Sequence, residues 1–346
     1  MEKRKGIELK LLAWLCGMLV LLGSLVLLPL ALEAAEKWPT RPITVVVHVA
    51  PGGGTDLATR ALANEMSKTL GVPIVVQNIL GGGGAVASKK VILEPPDGYT
   101  WLSAGSSWKN LGPMGLHDTN LKEWYCLPLI GVYGSIAVKE DSPYKTLRDV
   151  VEALKKSPGK VTCGASTPSS PWRVTMEIFN KATGLKLRYV PYTGSTPTHA
   201  ALLAGEIDVC ITALQEQVEL LKGGKIRSLG VFLDQSYPLE GYKEIPSITG
   251  LVPELKPHFP LTFWFWFSLR ADVPKPILRK IDEAFLKAIE TQAMKEFCKN
   301  YIAVTKGVVG DEAQKLIRQE AGMESWFLYE VGVAKRSPAD FGLPKP

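Results

Sequence analysis

The chain has 346 residues, 46% hydrophobic and 21% charged, with a formal net charge of +6. That composition can bury cores, leaves room for two domains of ordinary size and excludes an intrinsically disordered chain. The basic excess is mild and spread out, with no Lys/Arg cluster interleaved with aromatics, which argues against a nucleic-acid partner and favours attraction of small anions.

Lys3, Arg4, Lys5 and Lys10 precede an apolar run at 11–32, and Ala31, Ala34 and Ala35 supply small residues near a cut. This is the pattern of a secretory signal over 1–35. The run is 22 residues long, enough to span a bilayer, so a retained anchor stays open. In both readings the folded part faces the extracytoplasmic side. Beyond it lie Cys126, Cys163, Cys210 and Cys298, without a C-x-x-C pair, so no zinc or redox motif is expected. The apolar, strand-like surroundings of Cys163 and Cys210 favour buried free thiols.

From residue 43 the patterns alternate. Strands are predicted at 43–47, 74–78 and 100–104, with helices at 57–70 and 85–93 between them. Short strands follow at 127–132 and 135–138, with Gly134 as a break, and then a helix at 147–156. A second series has strands at 161–165, 187–190, 209–212 and 228–232, and helices at 172–183, 198–204 and 215–222. The proline-rich stretch 238–260 reads as a surface connection. The aromatic run 263–269 reads as a central strand crossing back between domains. Helices at 276–289 and 312–331 and a tail at 337–346 complete the chain. Such alternation predicts an α/β fold with mostly parallel sheets.

Two loops stand out. The strand 43–47 runs into Ala50-Pro51-Gly52-Gly53-Gly54-Thr55-Asp56, and the strand 74–78 into Gly81-Gly82-Gly83-Gly84. A strand that ends in glycines and feeds a helix aims free backbone N–H groups, and the positive end of the helix dipole, at a ligand. Two such loops in one parallel sheet lie at the same edge and together suit a small anion. Neither has the Lys-Ser/Thr of a P-loop, and neither matches G-x-G-x-x-G cleanly, which disfavours a nucleotide. His48, His117, His199 and His258 lack metal-ligand spacing, and His48, alternating with apolar residues, reads as a packed core histidine. No G-x-S-x-G elbow is present. Asp56 reads either as a first-turn acid favoured by the dipole or as a side chain that orders the loop or meets the ligand. In the second series, Ser166, Thr167, Ser169 and Ser170 precede one helix, and Thr193, Gly194 and Ser195 another. Four loops rich in glycine or hydroxyls, an export signal and no catalytic set point to a binding protein.

These segments resemble the extracytoplasmic solute receptors of tripartite tricarboxylate transporters, the Bug family. Pro51-Gly52-Gly53-Gly54-Thr55-Asp56 with Arg60 looks like the family's first loop, and Val75-Val76-Gln77-Asn78 with Gly81 to Gly84 like its second. Asp97-Gly98-Tyr99-Thr100, Val190-Pro191-Tyr192-Thr193-Gly194 and Leu202-Leu203-Ala204-Gly205-Glu206-Ile207-Asp208 match further segments in order. The chain departs from the pattern at Leu80, where proline is usual, at Gly82, where alanine is frequent, and at Trp172.

The resemblance implies a two-lobed periplasmic-binding-protein fold of the Venus-flytrap type II class with two interdomain crossovers. Lobe one would comprise 36–138 plus 263–346 and lobe two 139–262. It implies a monomeric receptor, not an enzyme, without cofactor or metal. Its ligand would be a small carboxylate: a di- or tricarboxylate, an acidic amino acid or an aromatic acid. Gly52, Gly53, Gly54, Thr55, Asp56, Gly81, Gly82, Gly83, Gly84 and Ser106 would hold one end. Ser166, Thr167, Ser169, Ser170, Thr193, Gly194 and Ser195 would meet the other, with Asp208 fixing a loop or receiving a polar group. Membrane subunits of the transporter would be the partners; the alternative is a sensing receptor that signals to a membrane kinase.

Overall fold

The computed structural model describes residues 37–118, 120–259 and 261–345; the signal segment at 1–35 lies outside them. Its first half is built from β1 (Ile43–Val47), α1 (Gly54–Leu70), β2 (Ile74–Asn78), α2 (Ala85–Ile92) and β3 (Thr100–Ala104). The long β4 (Trp124–Lys139) follows. The second half holds α3 (Leu147–Lys156), β5 (Thr162–Gly164), α4 (Pro171–Thr183), β6 (Arg188–Val190), α5 (Ser195–Ala204), β7 (Val209–Ala213), α6 (Leu214–Lys222) and β8 (Ile226–Val231). The chain then returns through β9 (Thr262–Arg270), α7 (Lys275–Ile289), α8 (Gln292–Tyr301), β10 (Ala303–Val304) and α9 (Gly310–Glu330).

The strand order is β2-β1-β3-β9-β4-β7-β5-β6, with β8 and β10 also paired to β4. β1 lies between β2 and β3 with all three parallel. Ile43, Val45, Val46 and Val47 are completely buried, as expected of an inner parallel strand covered on both faces. β2, at the sheet edge, instead alternates half-buried and exposed positions. The register sets Val47 opposite both Asn78 and Ser103, so β1, β2 and β3 end level at one edge.

β4 belongs to both halves. Its residues from Trp124 to Tyr133 pair with β9, ending at Tyr133 opposite Thr262. From Gly134 onward its partners are β7 and β8. The expected break at Gly134 is therefore corrected: one strand runs through. A Cβ at Gly134 would lie 3.3 Å from both the Phe232 and Trp172 rings, so the glycine makes room for two aromatics where the strand changes sheets. β4 carries the chain outward and the segment leading into β9 at Thr262 brings it back, which gives the two-lobed architecture with two crossovers.

Two further corrections concern the C-terminal region. α8 has no counterpart in the sequence reading. The last residues are not a free tail: Phe341 and Leu343 are buried among Trp108, Leu121 and Trp124, and the Trp326 indole N–H faces the Leu343 carbonyl at 3.4 Å. All four cysteines among the described residues are free and buried. Among the described residues no helix is long and apolar enough to cross a membrane.

Candidate functional site

Loop one, between β1 and α1, is held by Asp56. Its Oδ2 accepts the Gly52 N–H (2.9 Å) and Arg60 Nε–H (3.0 Å), and its Oδ1 accepts from Arg60 and from Asn78 Nδ2 (2.9 Å). Asn78, the last residue of β2, also donates to the Val49 carbonyl at 2.9 Å. Burial raises the Asp56 carboxyl pKa, but the hydrogen bonds from Arg60, Gly52 and Asn78 outweigh it and hold the group below its ordinary value. Both oxygens are thus engaged in ordering the loop, and of the two sequence readings the geometry matches loop ordering.

The caps of the helices discriminate between the loops. α4 is closed by its own side chain: Ser170 Oγ accepts the Arg173 N–H, and Pro171 fills the first turn. α1, α2, α5 and α6 begin after Gly53, Gly84, Gly194 and Ala213, with no side-chain cap on any of them. Of the five strand-to-helix junctions after β1, β2, β5, β6 and β7, four therefore present first-turn N–H groups that the helix itself cannot satisfy. In α1 these belong to Gly54, Thr55 and Asp56. In loop two, Gly81 to Gly84 all have positive φ, between 56° and 130°, a run open only to glycine.

His48 directly follows β1, within 3.5 Å of where a Cβ on Gly84 or Gly105 would lie. Its Nε2 accepts the Gly105 N–H at 2.7 Å, which assigns the ring proton to Nδ1, on the side facing Gly84. It is a half-buried member of this edge rather than a core residue. Burial lowers its pKa to about 4, and that of His199, which bonds Thr212 Oγ1 at 2.8 Å, likewise. Both rings are neutral in the folded protein down to about pH 4, whereas in the unfolded chain they charge near pH 6.5. Each contributes stability that is present above pH 6.5 and lost as pH falls toward 4. An NMR titration should show both imidazoles changing charge near pH 4; a midpoint near 6.5 for either contradicts the burial.

The remaining expected residues divide. Ser106 is buried in an ionic cluster: it donates to Glu324 Oε1 at 3.1 Å, and Lys109 Nζ reaches Ser106 Oγ (2.6 Å), Glu324 (2.8 Å) and Glu320 (3.3 Å). Ser166 has φ 59°, and its carbonyl accepts from the Tyr189 hydroxyl and Tyr192 N–H. Thr167 and Ser169 are half-buried and Thr193 is exposed. Asp208 stands apart: it precedes β7 and accepts from the Thr162 N–H (2.8 Å) and hydroxyl (2.7 Å) at the start of β5. That is the amino edge of the sheet, opposite the loops, and its role there is to join two strands.

Three residues that the sequence did not single out connect the halves. Tyr301, the last residue of α8, sits so close to loop one that a Cβ on Gly54 would overlap its hydroxyl. Gln215 of α6 bonds that hydroxyl, and its neighbour Glu216 accepts from Ser195 at the start of α5. The available signal was an acid in a helix first turn directly after a strand, a pattern too common to be selected by itself.

A family model described as tripartite tricarboxylate transporter family receptor matches residues 58–329. Among curated proteins, BugT of Bordetella pertussis (strain Tohama I) is 28% identical over 296 residues, spanning 82% of this chain and 89% of that protein. Among solved structures, a periplasmic transporter superposes with a TM-score of 0.72 at 25% identity, over 86% of this chain and 99% of that one. An R. palustris protein with adipate superposes with a TM-score of 0.69 at 24% identity, over 86% and 99%.

Proposed function

Because this chain belongs to the tripartite tricarboxylate transporter receptor family, we propose that it captures a small carboxylate between its lobes on the extracytoplasmic side and presents it to membrane transport subunits. The observation that carries this reading is the set of uncapped helix N-termini. Two belong to the half containing β1 and two to the half containing β6, and one from each half, α1 and α6, comes together at Tyr301. A carboxylate between them accepts from oriented amides and lies at the positive ends of helix dipoles, so it needs no arginine. The adipate-bound neighbour is consistent with such a ligand. We place lobe one at 37–133 plus 262–345 and lobe two at 134–261, from the change of pairing partner within β4. Closure of one lobe on the other brings α5 and α6 toward loops one and two.

The test is calorimetric titration of the full chain, unfolded and refolded to strip any co-purified ligand. The panel contains dicarboxylates, acidic amino acids, aromatic acids, neutral sugars and metal cations. At least one carboxylate should bind without turnover; binding confined to a sugar or a cation rejects the reading. Gly54→Ala should weaken carboxylate binding about tenfold, or about 1.4 kcal/mol, because the new methyl displaces Tyr301. Adding Tyr301→Phe, which removes the overlapping oxygen, should restore part of the loss. No recovery in the double variant contradicts the steric account.

A further inference from the structure

We propose that the ligand carries a protonated amine at the end remote from its carboxylate, and that Glu216, with Gln215 Oε1, selects this amine against a second carboxylate. The inference rests on the carboxylate reading above and names the ligand class more narrowly.

The two sides of the site have opposite hydrogen-bonding character. Loops one and two offer N–H donors. Across from them, β7 passes into α6 without an intervening loop, so Gln215 and Glu216 stand at the strand end itself. The contacts run from Gly54 to the Tyr301 hydroxyl, from there to Gln215, and from Glu216 to Ser195. The partners that hydrogen-bond to Glu216, the Ser195 side chain and the Ala213 backbone, are both uncharged. The side chain remains open to solvent, yet its surroundings raise its pKa by burial, and it acts electrostatically on the Tyr301 phenol. Gln215 Oε1 is buried and has no partner among the described residues.

Among the described residues Glu216 has only uncharged donors and Gln215 Oε1 has none, so neither acceptor meets a cation. A second ligand carboxylate there would add like charge at short range. An ammonium group satisfies both acceptors and supplies the missing countercharge, through charge-assisted bonds that are the stronger kind. Asp56, the other acid near loop one, does not compete for it, because its oxygens are already taken by Gly52, Arg60 and Asn78.

The probes are ω-aminocarboxylates of three to six carbons and α,ω-dicarboxylates of the same lengths, titrated into the full chain at pH 7.5. The expected result is that the tightest ω-aminocarboxylate binds at least tenfold tighter than the dicarboxylate of equal length. Glu216→Gln, a near-isosteric change at a solvent-accessible position, should reduce that ratio to threefold or less. A wild-type preference below tenfold, a preference for dicarboxylates, or a ratio above threefold in the variant overturns the inference and leaves the carboxylate reading intact. Absence of binding in both series, with another carboxylate of the earlier panel bound, also overturns only the inference. Absence of binding by every carboxylate overturns both.

Discussion

Replacing Lys109 with methionine is expected to destabilise the protein by about 3–5 kcal/mol, the range for breaking a buried ion pair from one side. The thermal midpoint should fall by roughly 6–10 °C, at about 2 °C per kcal/mol for a chain of this size. Among the described residues Lys109 is the single cation paired with Glu320 and Glu324, and the Lys109 and Glu324 side chains are 0% exposed. Asn110 donates to Glu324 Oε2 at 2.7 Å, and the Trp264 N–H to Glu320 Oε1 at 3.0 Å, so the cluster joins the segment after β3 to α9 and to β9. Glu320 Oε2 has no partner among the described residues. Burial pushes the Glu320 carboxyl up to about 7, despite the opposing pull of Lys109.

Methionine keeps the volume and leaves two carboxyls without their cation. The loss should be larger at pH 8 than at pH 5, where protonation of Glu320 removes part of the buried, uncompensated negative charge. For the same reason Glu320 in the unaltered protein favours folding below its unfolded pKa. That contribution is lost as pH rises through 7, opposite in sign to the two histidines. Adding Glu320→Gln and Glu324→Gln to the methionine variant should recover part of the stability, since removing all charges costs less than stranding two. Thermal denaturation followed by circular dichroism measures each variant; a Lys109→Met protein that melts with the wild type shows that the cluster is not held by charge.

Asp56→Ala should weaken ligand binding about 100-fold, or about 2.7 kcal/mol, while the protein still folds. This carboxylate accepts the Gly52 N–H, two bonds from Arg60 and one from Asn78. Through Asn78 it ties the turn after β1 to the end of β2, so one side chain fixes the relative position of both glycine loops. Alanine leaves those donors to water and lets loop one sample many shapes. The cost appears as ordering that the ligand must impose on binding. Asp56→Asn keeps one acceptor oxygen and should fall between the two. Calorimetry reads the affinity, and proteolysis of the ligand-free variant at loop one reads the disorder. Unchanged affinity in the alanine variant assigns loop order to the glycine backbone itself.

How much of this was legible in the chain varied with the range of the interaction. β1, β2 and their glycine loops were legible because runs such as Ile43-Thr44-Val45-Val46-Val47, ending in glycines, encode strand and junction locally. Ser170 was legible as a hydroxyl before a helix, but whether it caps or binds depended on one contact, to the Arg173 N–H. Asp208 was left between fixing a loop and receiving a polar ligand group, because spacing along the sequence does not tell which end of a strand faces the cleft. Gly134 was misread because glycine signals a break as often as a close approach. Tyr301 was beyond reach: it lies at the end of a helix with a sparse apolar pattern, and its neighbours Gly54 and Gln215 are 247 and 86 positions away. Lys109 carries no local signal of its burial, since its two acids come from a helix more than 200 residues later.

The continuity of β4 has a mechanical consequence. A single strand of 16 residues carries hydrogen bonds to both sheets, so it is a stiff beam rather than a tether. Any relative rotation of the two lobes must then concentrate its torsion into the few backbone angles at Tyr133 and Gly134 and just before β9 begins at Thr262. Trp172 sits beside that fulcrum, its ring set edge-on to Phe263 at 5.4 Å. The rims carrying the loops are the long ends of the lever, where a small twist at the fulcrum becomes a large displacement. The indole packs beside the pivot, between Gly134 and Phe263, so Trp172→Ala is expected to loosen that point.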